Sequence, residues 1–267
     1  MLYYSNAKIN LGLNIVKKRD DGFHNIETVF YPLGIEDALE FVESEKLELT
    51  SSGIKVDCEL DHNLIIKAYR LLQNDFQLPT LKFHFHKIIP FGAGLGGGSA
   101  NAASTLIALN QFYKLELNQN QLTAYAQQLG ADCAFFIKNC PVYAEQKGDV
   151  FEDLNLDLSS YYILLIHPGF GVSTVEAYAG VHPQVPMVSV KDIIQKPIES
   201  WKTELVNDFE SGIFKAYPIL IELKEKMYQE GAIYASMSGS GSSIFGIFKT
   251  KPSPDRFKQY WYWLGKL

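Results

Sequence analysis

The sequence predicts an α+β protein of two domains, and three observations carry that expectation. The chain opens on a strand of alternating apolar residues. A glycine-rich run then leads directly into a helix with an apolar stripe. Near the end, a second bend rich in glycine and serine joins two apolar runs, and composition shifts between these regions near residues 153–160. That shift divides the chain into residues 1–153 and 154–267, and 267 residues suffice for two modest cores. An apolar content of 47% with 20% charged residues excludes a disordered chain.

Each element has its own signal. In NAKINLGLNIV, Ala7, Ile9, Leu11, Leu13 and Ile15 fall on one face of a strand, and Lys8, Asn10, Gly12 and Asn14 on the other. Asp21-Gly22 is a turn signal that places Phe23 and His24 just past a loop tip. DHNLIIKAYRLLQNDF has helical spacing at Leu64, Ala68, Leu71 and Leu72, with Asp61 or Asn63 as its cap. LKFHFHKI alternates again, with Leu81, Phe83 and Phe85 on one face and His84 and His86 on the other. Two such histidines can share a metal, but no third ligand lies nearby, so a solvent-facing or lightly packed pair is expected.

Beyond the glycines, Ala102, Leu106, Leu109 and Tyr113 make the stripe of a core-facing helix. Asn118 followed by Gln121 reads as a capping box for a further helix ending at Gly130, with Asp132 just beyond. YYILLIHPGF is a buried strand closed by a Pro-Gly turn. Residues 180–197 are proline-rich and expected to be irregular. IYASMSGSGSSIFGIF is expected to form two strands joined by the second Gly/Ser bend.

Several functions are disfavoured. A net charge of −6 argues against a nucleic-acid-binding surface. No apolar run approaches a bilayer span, and the N-terminus lacks the basic start and apolar middle of a signal peptide. Cys58, Cys133 and Cys140 form no C-x-x-C pair, which points to a reducing, cytoplasmic setting rather than to a disulfide or thiolate zinc site.

The strongest chemical signal is PFGAGLGGGSANAAS, residues 90–104. Glycine loses more backbone entropy on folding than any other residue, so this density needs a reason. A flexible linker would continue into polar, aperiodic sequence, whereas a helix starts here at once. Strand, glycine loop and helix N-terminus in succession make an anion cradle of backbone N–H groups and helix dipole. No lysine follows Gly98, so this is not G-x-x-x-x-G-K-[ST]. GAGLGG matches G-x-G-x-x-G formally, yet Glu116, the acidic residue at the expected distance, falls at the far end of a helix.

The run resembles the phosphate-binding motif of the GHMP kinases, named for galactokinase, homoserine kinase, mevalonate kinase and phosphomevalonate kinase. Residues 7–30, GADCAFF at 130–136 and MSGSGSSIFGIF at 237–248 resemble that family's other signatures in the same order. The triple glycine and the N-terminal stretch are most similar to the branch acting on a cytidine diphosphate ester of methylerythritol. The resemblance implies an N-terminal domain like domain 2 of ribosomal protein S5, a ferredoxin-like C-terminal domain, and an active site in the cleft between them.

It also implies residue roles. ATP would lie on Pro90, Phe91, Gly92, Ala93, Gly94, Leu95, Gly96, Gly97, Gly98, Ser99 and Ala100, with Asn63, Leu64 and Lys87 flanking the adenine. Asp132 would accept the proton of the C2 hydroxyl as it attacks the γ-phosphate, and Lys8 would steady developing charge. Asn10 would contact the methylerythritol or phosphate end and His24 the cytosine edge, while Phe23 and Tyr178 would stack on the base with Thr174 nearby. Ser99 would meet Mg²⁺ carried by ATP. Phe23 replaces a frequent tyrosine, and Cys133 and Ala134 replace a frequent valine and proline. The implied partners are ATP and the small-molecule substrate, without nucleic acid or membrane, in a monomer or homodimer. The alternatives are another GHMP kinase, acting on mevalonate, homoserine or a sugar, and a nucleotide-binding regulator without turnover. Lys8 and Asp132, which a binding module does not need, speak against the regulator.

Overall fold

The computed structural model describes residues 1–56 and 58–267. In chain order the elements are β1 (Leu2–Lys18), β2 (His24–Glu43), β3 (Glu48–Gly53), α1 (Leu64–Phe76), β4 (Leu81–Lys87), α2 (Gly97–Tyr113), α3 (Gln119–Leu129) and α4 (Ala131–Lys138). There follow β5 (Val142–Glu145), β6 (Val150–Asp153), β7 (Tyr162–His167), α5 (Thr174–Ala179), α6 (Val190–Ile193), α7 (Ile198–Glu204), α8 (Glu210–Ala216) and α9 (Ile219–Gln229). The chain closes with β8 (Tyr234–Met237), β9 (Ile244–Phe248) and β10 (Trp261–Lys266). These elements form two compact units, one of Met1–Ala7, Ile35–Pro90 and Gly96–Cys140, the other of Lys8–Gly34, Phe91–Leu95 and Pro141–Leu267.

In the first unit, β4 pairs parallel with β3 and antiparallel with the C-terminal part of β2, from Ala38↔His86 to Glu43↔Leu81. The alternation in LKFHFHK is realised: Leu81, Phe83 and Phe85 are buried. On the other face, Thr50 Oγ1 and Ser52 Oγ lie 2.9 Å from Nδ1 of His84 and of His86, respectively. The predicted helices are present. Asn63 caps α1, its Oδ1 accepting from Ile65 N at 3.0 Å. Helix α2 departs from a single stripe, because Ala100, Asn101, Ala102, Ala103, Ser104 and Thr105 are all buried. Small side chains on every side let neighbouring helices approach its backbone.

Asn118 and Gln121 form the expected capping box on α3, with both reciprocal bonds made. Replacing Asn118 by Ala is expected to cost about 1 kcal/mol in a urea unfolding experiment, since two backbone donors lose their partners. Helix α4 lies beyond the helix that the sequence pattern ended at Gly130; it carries Asp132 in its first turn.

The second unit holds an antiparallel sheet in the order β10-β7-β9-β8. Strand β7 is central, and Ile163, Leu164, Leu165 and Ile166 have no exposed surface. Leu164, Ile166, Met237 and Ile244 join Phe209, Ile213, Leu220, Leu223 and Met227 of α8, α9 and the segment before them in one core. The N-terminal part of β2 pairs with β5, and β5 with β6, in the same unit. The proline-rich stretch is irregular only to residue 188; Ser189 then caps α6 by accepting from Lys191 N at 3.1 Å. Both faces of β1 are buried over residues 7–15, so Lys8, Asn10 and Asn14 are core residues.

Candidate active site

The glycine loop obeys a simple alternation. Gly92, Gly94 and Gly96 have left-handed φ values of +60°, +74° and +70°. Between them, Ala93 and Leu95 turn their side chains inward and are buried. The loop thus needs glycine at every second position to present apolar anchors at the others. Gly96 then serves as the N-cap of α2 and, being glycine, makes no side-chain cap hydrogen bond. A helix start without a side-chain cap is chemically suited to an anion.

Residues 92–94 of this loop are pinned within the second unit. Ser238 Oγ donates to Gly94 O at 2.8 Å, Ser243 N to Ala93 O at 3.2 Å, and Val172 N to Gly92 O at 3.4 Å. Three consecutive carbonyls are therefore occupied by the Gly/Ser bend and the turn after β7. Ser242 Oγ donates to Phe170 O and lies 3.4 Å from Nδ1 of buried His167, tying that bend to that turn. Burial pulls the His167 imidazole below its ordinary range. Protons therefore favour the unfolded chain, so the stability contributed by neutral His167 is full above about pH 6.5 and declines as pH falls below it. Urea midpoints at pH 7.5 and 5.5 are expected to separate more for the wild type than for His167→Gln. An equal pH slope in both proteins would refute this.

Lys8 sits in the same unit, buried, with Nζ donating to Asn10 Oδ1 at 2.7 Å and lying 4.7 Å from the centre of the Phe30 ring. Asn10 Nδ2 donates to Thr28 Oγ1 at 2.9 Å, and Thr28 Oγ1 donates to Gly12 O at 2.5 Å. Asn10 N donates to Ser238 Oγ at 3.3 Å, so Ser238 joins the Lys8 strand to the glycine loop. Asn207 completes the network by donating to Met237 O and Gly239 O at 2.8 and 2.9 Å. Asn10 spends both its amide atoms on neighbours, an arrangement that fixes the rotamer of Lys8.

In the first unit, Asn63, Leu64, Lys87 and the start of α2 come together. A Cβ on Gly98 would lie 3.7 Å from Leu64 Cδ1, and one on Gly97 would lie 2.9 Å from Lys87 Nζ. Lys87 has no exposed side-chain surface and forms an ion pair with Asp37. Burial lowers its ammonium below the usual lysine range, against the opposing pull of Asp37. Ser99 hydrogen-bonds Cys133, whose thiol burial pushes up to about 11, so that cysteine stays neutral. Asp132 opens α4 one residue before Cys133.

The residues read as a base site lie in the second unit. His24 stacks on Tyr178 with ring centres 4.5 Å apart and planes 15° from parallel. Burial, with help from Lys18, lowers the His24 imidazole from its ordinary range and favours the neutral ring. Tyr178 rests edge-on against Phe209. Thr174 is the first residue of α5. Phe23 is 60% exposed, with Lys147 Nζ 5.3 Å from its ring centre. Sequence reasoning did not single out Thr28, Asp37, Asn101, Asn207 or Ser238. Ser238 fell inside a quoted motif, whereas Thr28 and Asp37 sit in ordinary strand sequence.

The GHMP kinases N terminal domain model matches residues 63–139 and the GHMP kinases C terminal model residues 189–263. A 4-diphosphocytidyl-2-C-methyl-D-erythritol kinase from Parabacteroides distasonis is 49% identical over 97% of this chain and 94% of its own length. The chain belongs to the GHMP kinase family. A protein of the same name from Cytophaga hutchinsonii is 48% identical to this GHMP kinase over 94% of both chains. A crystal structure of 4-(cytidine 5'-diphospho)-2C-methyl-D-erythritol kinase superposes with a TM-score of 0.81 at 30% identity, covering 99% of this chain and 98% of that one. The mevalonate kinase of Methanococcus jannaschii shares the fold at a TM-score of 0.71 and 12% identity, covering 100% and 98% of the two chains. The architecture is thus the family's mixed α+β one, with N- and C-terminal GHMP kinase domains. Among the described residues, no helix is long and apolar enough to cross a membrane.

Proposed function

We propose that this GHMP kinase transfers the γ-phosphoryl group of ATP to the C2 hydroxyl of 4-diphosphocytidyl-2-C-methyl-D-erythritol, giving the 2-phosphate and ADP in the cytoplasm. The observation that carries the reading is identity near one half, along almost the whole chain, to relatives of that name. The shared fold of mevalonate kinases cannot carry a substrate, because their identity is low.

The residue roles are those that the family resemblance implies. Phosphoryl transfer needs positioning and charge stabilisation more than covalent help. In this reading the triphosphate lies on residues 92–99, against the uncapped start of α2, with Asn63, Leu64 and Lys87 framing the adenine side. Asp132 takes the C2 hydroxyl proton, and Lys8, its rotamer set by Asn10, stabilises the charge that develops on the transferring group. Tyr178 and Phe23 supply aromatic faces for cytosine, and neutral His24 offers both a donor and an acceptor to its edge. Thr174 lies close by on α5 and Asn10 toward the methylerythritol end. His24 rests on Tyr178 and has to leave that face for the base to stack there.

The described residues form no cluster of three or more His, Cys, Asp or Glu side chains suited to a metal. In this reading magnesium enters as an ion brought by ATP, with the Ser99 hydroxyl as a hard oxygen ligand. When bound, it offsets phosphate charge.

The test is ADP release from ATP and magnesium by the purified protein, with diphosphocytidyl-methylerythritol, mevalonate and homoserine offered separately. Turnover with the cytidine substrate alone supports the assignment. Turnover with another alcohol instead would overturn it and leave the fold intact.

A further inference from the structure

Asp37 on β2 is fully buried, and none of the roles above uses it. Its carboxylate receives four donors. Oδ1 accepts from Ile88 N at 2.7 Å and from Ile89 N at 2.9 Å. Oδ2 accepts from Lys87 Nζ and from Asn101 Nδ2, the latter at 3.0 Å. Asn101 also donates to Ser5 Oγ at 2.6 Å.

These donors come from the two places that define the glycine loop. Ile88 and Ile89 are the last residues before Pro90, where the loop leaves β4. Asn101 lies one turn into α2, where the loop ends. Lys87 sits between them, with its ammonium behind the first turn of α2. A buried ammonium next to a helix N-terminus is repelled by the partial positive charge there unless an anion balances it. Asp37 supplies that balance from beneath. Asp37 does this without supplying a cap to the α2 N-terminus, since it bonds Asn101 one turn further in.

We infer that Asp37 is the positioning residue of the phosphate loop, setting the place and direction of the α2 N-terminus relative to β4. Through this it governs nucleotide affinity without touching the nucleotide. The inference rests on the reading that the phosphates of ATP lie on residues 92–99. Each bond is charge-assisted and made in a dry interior, where such bonds are strongest and their loss costs most.

Asp37→Asn keeps the shape but weakens every bond that the carboxylate accepts. In the full-length protein it is expected to raise KM for ATP about tenfold, the equivalent of one charge-assisted bond. KM for the alcohol substrate should stay within about twofold, because a loop-positioning defect acts on one substrate only. ADP binding measured by calorimetry should weaken in parallel. Should Asp37→Asn fail to fold, Asn101→Ala carries the test: it leaves the ion pair intact, removes the tie from Asp37 to α2 together with the bond to Ser5 Oγ, and should raise KM for ATP about threefold, whereas Ser5→Ala, which removes the Ser5 bond alone, should leave it unchanged. Equal movement of both KM values, or an unchanged KM for ATP in folded Asp37→Asn or Asn101→Ala, would overturn the role of Asp37. A wild-type protein that bound no ADP would instead overturn the reading of the glycine loop.

Discussion

Asp132→Asn is expected to lower kcat by about three orders of magnitude, with KM for ATP and for the alcohol each within about threefold, because a lost general base is felt in the transition state. Asparagine matches aspartate in shape, so the first turn of α4 need not move. On the proposed role, what disappears is the acceptor for the hydroxyl proton. Lys8→Met should cost a similar factor and strand Asn10 Oδ1, which accepts from Lys8 Nζ at 2.7 Å. If the two residues act as one device, the double variant should be scarcely slower than either single one. Single-turnover measurements on the three variants decide the matter. Additive losses would mean independent roles, and an Asp132→Asn enzyme within tenfold of wild type would remove the base from the proposal.

Gly94→Ala is expected to abolish measurable nucleotide binding through a collision rather than a lost contact. A Cβ at Gly94 would stand 1.9 Å from Ser238 O and 2.8 Å from Ser238 C, both backbone atoms. No rotamer relieves that. The loop must move away from the Gly/Ser bend, giving up the bond from Ser238 Oγ to Gly94 O and misdirecting the N–H groups downstream. Gly22→Ala is the control: Gly22 also has a positive φ, +84°, yet nothing lies within 4 Å of an added Cβ there. Both variants bear the left-handed backbone cost of about 1–2 kcal/mol, but only Gly94→Ala bears the collision. Calorimetric titration with ADP, together with thermal unfolding, separates the two effects. Normal ADP affinity in Gly94→Ala would show that the loop is not the phosphate cradle.

These predictions draw unequally on sequence and structure. The alternation around Lys8, the Asn118 capping box and the glycine run were legible because each is a local pattern with a local cause. The left-handed residues at 92, 94 and 96 explain in hindsight why the loop alternates glycine with Ala93 and Leu95. Long-range polar partners were not legible. Asp37 lies fifty residues from Lys87, and Ser238 lies 228 from Asn10, so no spacing rule connects them. Helix α4 was missed because Gly130 closes one helix and opens the next, which leaves no separate start signal. Alternation put Asn10 on one strand face with Lys8, but it could not show that the side chain there accepts from Lys8 and donates to Thr28.

The way the two compact units share the chain bears on how this gene can be cut and recombined. The backbone passes from one unit to the other five times, after Ala7, Gly34, Pro90, Leu95 and Cys140. No single cut yields a fragment that contains one unit whole and nothing of the other. An exchange of C-terminal halves between relatives would split the second unit, which keeps Lys8–Gly34 and Phe91–Leu95 upstream of any such joint. Crossovers within Pro141–Leu267 replace only part of that unit, against upstream segments tuned to the original. Successful chimaeras of this protein should therefore demand compensating changes near residues 8–34, and random truncation libraries should return no soluble half.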